Sequence, residues 1–229
     1  PYSDTKPTID NYAKWGDTAI GLRAVATGGN ATALGRSARA AAENAIAIGG
    51  GNGNNFNDNT EKTEAIASKA IAMGYNAKAS NSNALSLGVK ATASGLDSVS
   101  FGTGANASNT GAIGIGKGVT ASGSDSVSLG TSSKASDSGA IAIGETSEST
   151  DTNSVALGYT SKANGASATA IGPQSQATKT SAVALGRGAT ATEEYAVAIG
   201  DSASAIAKNS VALGYKSKAD TASGVAGYD

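Results

Sequence analysis

The pentapeptide Ser126-Val127-Ser128-Leu129-Gly130 returns fourteen residues later as Ala140-Ile141-Ala142-Ile143-Gly144, and again as Ser154-Val155-Ala156-Leu157-Gly158. Small, apolar, small, apolar, glycine is the rule in each. Followed outward in both directions, its glycine falls at Gly21, Gly35, Gly49, Gly74, Gly88, Gly102, Gly116, Gly130, Gly144, Gly158, Gly172, Gly186, Gly200 and Gly214. Twelve of the thirteen intervals are 14 residues, and the other, Gly49 to Gly74, is 25, one period plus an insertion of 11. Alternation with period two reads as a short strand with two different faces. A unit this short, repeated this often, reads as one coil of a solenoid.

The rest of the period completes the coil. After the glycine a second short alternation follows, with Ala or Ser usual at the third position and Ala at the fifth in twelve of fourteen copies, as in Ala77 and Ala79 or Ser161 and Ala163, Asn54 and Ser149 being the exceptions. Turn residues such as Ser94-Gly95-Leu96-Asp97 and Ser122-Gly123-Ser124-Asp125 then lead back to the next pentapeptide. The expected coil is strand, glycine corner, strand, polar turn, with the small faces of the two strands packed on each other. The large apolar residues of the pentapeptide then face outward, and only Thr18, Thr32 and Thr169 interrupt 28 such positions. A stripe of that length needs a cover. A second copy of the chain is the simplest one, and either three stripes about an axis or a two-fold pair fits the pattern.

Composition alone suggests disorder: Ala, Gly, Ser and Thr fill 130 of 229 positions, while Ile, Leu, Val and Phe fill 34. Register changes that meaning, because a thin roll needs small residues inside. The chain has no histidine and no cysteine, so a Ser-His-Asp relay, an imidazole or thiolate metal site, a thiol nucleophile and a disulfide are all excluded. No enzyme activity and no cofactor are expected. With 17 basic against 18 acidic residues and ten aromatics, nothing supplies a nucleic-acid surface. No 18-residue apolar run or signal peptide is present, and a start at Pro1 is expected of a piece of a longer protein.

The hexapeptides Asn153-Ser154-Val155-Ala156-Leu157-Gly158 with Ser161, and Asn209-Ser210-Val211-Ala212-Leu213-Gly214 with Ser217, closely resemble the head repeat of trimeric autotransporter adhesins, the YadA-like head. Asp replaces the leading Asn in Asp97-Ser98-Val99 and Asp125-Ser126-Val127. The resemblance implies an all-β, left-handed parallel β-roll of about 14 coils, assembled as a homotrimer. Its domain reading is a cap over residues 1–16, the head over 17–219 with an inserted loop at about 50–62, and a degenerate last turn over 220–229 leading toward a neck and stalk. It implies an extracellular location on a Gram-negative-type bacterium, anchored in the outer membrane through regions outside this sequence. The implied partners are a matrix protein such as collagen, fibronectin or laminin, or a receptor on a host or bacterial cell.

The stripe supplies the expected trimer interface: Ile46, Ile48, Ile71, Met73, Leu85, Leu87, Val99, Phe101, Ile113, Ile115, Val127, Leu129, Ile141, Ile143, Val155, Leu157, Val183, Leu185, Val197, Ile199, Val211 and Leu213. Candidate ligand contacts are Asn55, Phe56 and Asp58 in the insertion, because loops on rigid scaffolds carry recognition, and Lys78, Lys134, Lys162 and Lys218, which recur four residues after the glycine. Plainer readings stand beside these: a tolerated surface loop and charges that keep a solvated face soluble. The Gly50-Gly51-Asn52-Gly53 start resembles a calcium nonapeptide, but in a single copy and without its Asp. Gly111 to Gly118 nearly spells a phosphate-binding loop, yet Gly118 stands where Ser or Thr would hold magnesium, and the segment is one more coil.

The leading functional reading is an adhesin head whose repeated outer surface attaches to matrix or cells. A passive spacer is the bland alternative. An ice-binding solenoid would need a uniform Thr array, whereas the outward positions mix Lys90, Thr92, Gln174, Gln176, Lys216 and Lys218. A β-helical acyltransferase would need a hexapeptide period and a histidine.

Overall fold

In the computed structural model, two strands per coil and no helix are found among the described residues, which are 12–13, 16–51 and 61–221. The architecture is a parallel β-solenoid of about fourteen coils, divided into two compact units, Pro1–Phe101 and Gly102–Asp229. In the first unit, three-residue strands run Thr18–Ile20, Thr32–Leu34, Ile46–Ile48, Ile71–Met73, Leu85–Leu87 and Val99–Phe101. Two-residue strands from Val25–Ala26 to Thr92–Ala93 form a second sheet. In the second unit, three-residue strands from Ile113–Ile115 to Val211–Leu213 form one sheet. Two-residue strands from Asn106–Ala107 to Lys218–Ala219 form the other.

Register follows the period. Leu85 pairs with Val99 and Val127 with Ile141, fourteen residues on, while across the insertion Ile46 pairs with Ile71 and Arg39 with Glu64. The extra residues therefore leave at a corner and return without shifting the sheets. Gly51 lies hard against the backbone of Glu61, and the Tyr75 hydroxyl donates to the Glu61 carboxylate. Thr63, fully buried, donates to the Gly74 carbonyl at 2.6 Å. These contacts clamp the base of the loop.

Each coil encloses four small side chains and little else. Ala70, Ala72, Ala77 and Ala79 are 0% exposed, and equivalent sets recur in both units. Serine substitutes for alanine where a carbonyl three residues back can accept its hydroxyl. Examples are Ser126 to Gly123 at 2.7 Å, Ser154 to Asp151 at 2.5 Å and Ser175 to Gly172 at 2.8 Å. Among the described residues Val119 is the largest fully buried side chain, and it fills the room left where Gly114 replaces the usual Ala or Ser. A β-carbon on Gly114 would stand 3.3 Å from a Val119 methyl, so one position loses the volume that its partner gains.

Ser86 breaks the serine pattern, being fully buried with no partner for its hydroxyl. A lone buried hydroxyl costs about 1 kcal/mol or more. Ser86→Ala is therefore expected to raise stability by about 1 kcal/mol, whereas Ser154→Ala should lower it by a similar amount. Midpoints of guanidinium unfolding compare the two directly, and equal shifts of the same sign would refute the assignment.

The repeat glycines all have φ between +112° and +148°, a region closed to other residues without strain. Two further positions per coil are left-handed. One lies two after the glycine, as at Lys90 and Thr160, and the other five before it, as at Asn83, Asp97 and Asn153.

Candidate functional site

Because small residues point inward, each three-residue strand turns its two large ones outward. All 22 residues expected at the trimer interface lie on this outer face, and none is buried within the chain. Met73, Phe101, Leu129, Leu157, Leu185, Val211 and Leu213 are exposed, Phe101 at 53%, and the others are half-buried. Cross-strand neighbours such as Val127, Ile141 and Val155 stack in file, so each unit carries an apolar face with none of the described residues upon it.

The opposite sheet is polar. Its outward positions include Lys78 in the first unit and Lys134, Lys162 and Lys218 in the second, on strands separated by others, with Lys134 and Lys218 exposed and Lys78 and Lys162 half-buried. The lysines do not form an unmixed row. Glu148 lies between Lys134 and Lys162 in register, 3.4 Å from the Lys162 ammonium, and Glu64 lies between Arg39 and Lys78, 3.6 Å from Arg39. Asn55, Phe56 and Asp58 lie outside the described residues.

Other ion pairs also span neighbouring coils. Arg187 and Asp201 approach to 2.7 Å, and Lys208 and Glu194 to 2.6 Å, each pair fourteen residues apart. The Ser202 hydroxyl and the Arg187 guanidinium hold the Asp201 carboxyl below its ordinary range, and Lys208 does the same for Glu194. These groups are exposed, so their value is alignment of neighbouring coils more than stability. Sequence reading missed the pairing because acid and base are fourteen residues apart and become neighbours only through the register. The segment from Gly111 to Gly118 is a coil in which Ile113 and Ile115 face outward.

Matches to the family model of the YadA head domain repeat cover residues 16–38, 26–52, 65–91, 93–118, 121–145, 149–175, 177–203 and 205–226. No curated protein sequence matches the chain. Among solved structures, the collagen-binding domain of the Yersinia adhesin YadA is similar, with 23% identity and a TM-score of 0.24. That match covers 69% of this chain and 64% of the Yersinia domain. Each matched repeat contains the same corner glycine and two-faced strand, from the first described coil to the last, and the chain belongs to the YadA head family.

Proposed function

We propose that the chain is the head of a bacterial surface adhesin that assembles as a homotrimer and attaches to a matrix protein or to a cell. The observation that carries this reading is the uncovered apolar face on the three-residue strands of both units. Such a face is too large for a soluble monomer, and three equal copies close it around an axis. Assembly would leave the polar sheets outermost on all three chains. Many equivalent weak contacts there sum to firm attachment, which suits adhesion better than recognition at one pocket. In this reading residues 17–219 form the head with an inserted loop at about 50–62, and an anchor outside this sequence holds it at the outer membrane.

The test is capture of the whole chain on immobilised collagen, fibronectin and laminin and on intact host and bacterial cells. Retention on at least one surface, about tenfold above an unrelated β-solenoid of similar charge, is the result expected from multivalency. Retention no better than that control across the panel would leave a passive spacer as the function of this segment.

A further inference from the structure

In the first unit, the outer side of the two-residue strands and the corner leading into them carry one base in each of five consecutive coils. These are Arg23, Arg39, Lys62, Lys78 and Lys90. Sheet register puts Arg39, Glu64 and Lys78 in one file, with the others at the adjoining corner position. Neighbouring coils are about 4.8 Å apart, so the bases recur coil by coil at the pitch of the backbone, alternating between two adjoining columns. Glu64 is the only acid in the file, and it is already paired with Arg39. Of the other acids among the unit's described residues, Glu61 adjoins Lys62 at the corner and accepts the Tyr75 hydroxyl, Asp17 lies beneath the Ala31 amide, and Glu43 and Asp97 lie in the turns that precede the three-residue strands. In the second unit the same columns begin with Asn106 and Thr120, and Lys134 and Lys162 then flank Glu148. A chain of net charge −1 thus concentrates base on one face of one unit.

We propose that this stripe binds a linear sulfated polysaccharide laid along the stack of coils. The inference rests on reading the chain as an attachment head and names a ligand class for it. A stiff sugar chain with sulfates at short, regular intervals on alternate sides matches bases that alternate between two adjoining columns. Val25 and Tyr12 continue the file beyond Arg39, but from Arg39 to Lys90 neither column holds an aromatic side chain on which a nucleic-acid base would stack or a large apolar residue for insertion into a membrane.

The experiment measures binding of the full chain to heparin, to desulfated heparin, to duplex DNA and to phosphatidylserine vesicles over a range of salt. Heparin should bind best and weaken steeply with salt, as counterion release requires. The variant Lys62→Gln/Lys78→Gln/Lys90→Gln should bind heparin about tenfold or more weakly with a shallower salt slope. Lys134→Gln/Lys162→Gln should stay within about twofold of the parent, because Glu148 stands between them in register and pairs with Lys162, and no base adjoins them at the corner positions. Thermal melts confirm that both variants fold. Absence of heparin binding, equal loss in the two variants, or equal binding of desulfated heparin, DNA or vesicles would overturn the proposal. Retention on the matrix and cell panel without heparin binding would remove the polysaccharide and leave the adhesin. Heparin binding without retention on the panel would do the reverse.

Discussion

Replacing Gly158 by alanine is expected to destabilise the second unit by at least about 4 kcal/mol, with two causes acting together. Its φ of +138° is strained for any residue with a β-carbon. An added β-carbon would also stand 2.6 Å from the carbonyl oxygen of Gly172 and 2.7 Å from its carbon, in the next coil. The overlap is with backbone, so no side-chain rotation relieves it. The two coils must separate, and the strand pairing between Val155 and Thr169 goes with them. Gly214 provides the comparison: its φ is +112°, but nothing lies within 4 Å of the added carbon. Gly214→Ala should therefore cost only the strain, about 1–3 kcal/mol. Guanidinium unfolding measures the totals, and amide exchange should show protection lost around Gly158 and Gly172. Equal costs at the two glycines would mean that close approach between coils is not what the repeat glycine secures.

The second large effect concerns assembly. Val155 and Leu157 lie on the outward apolar face, and Leu157 is 41% exposed in the single chain. In the proposed trimer each would be covered by neighbouring copies. Val155→Asp/Leu157→Asp would bury six carboxylates without partners, at a cost of several kcal/mol each if they stay ionised. The dissociation constant should rise by at least about a thousandfold. Sedimentation velocity should then show a folded monomer where the parent sediments as a trimer. Lys162→Gln, on the opposite sheet, should leave the trimer intact. A parent that sediments as a folded monomer, or a double variant that stays trimeric, would refute the interface.

Much of this fold was legible because a solenoid writes its geometry at a fixed period. The alternation in Ser126 to Gly130 told inside from outside, and the interval across the insertion showed where register resumed. One left-handed position also had a signal. Five residues before the glycine, ten of fourteen coils carry Asn, Asp or Gly, the residues that tolerate φ near +55°. Lys69, Ser167, Ser181 and Tyr195 take the same conformation without that preference. The other left-handed position, two after the glycine, had no signal, since Arg23, Thr160 and Gln174 occupy it as readily as glycine. There the rest of the coil over-determines the backbone, and local propensity is overridden. The lysines four after the glycine read as a row, whereas Glu148 stands between Lys134 and Lys162, and Glu64 stands next to Lys78. That distinction is electrostatic, and period alone does not carry it.

The serine-to-carbonyl contacts join residues three apart, and the Gly114–Val119 exchange and the Ser128–Ser133 pair, at 2.7 Å, join residues five apart within a single coil, as Ser149 and Ser154 do at 2.6 Å across a polar turn. Interior fit is thus settled inside the segment that a duplication would copy. A lineage can lengthen or shorten such a head one coil at a time, each copy bringing its own packing partner, with no compensating substitution elsewhere. Inheritance of the coil as a closed module predicts that aligned relatives covary at a separation of five, and that their lengths differ in steps of fourteen residues.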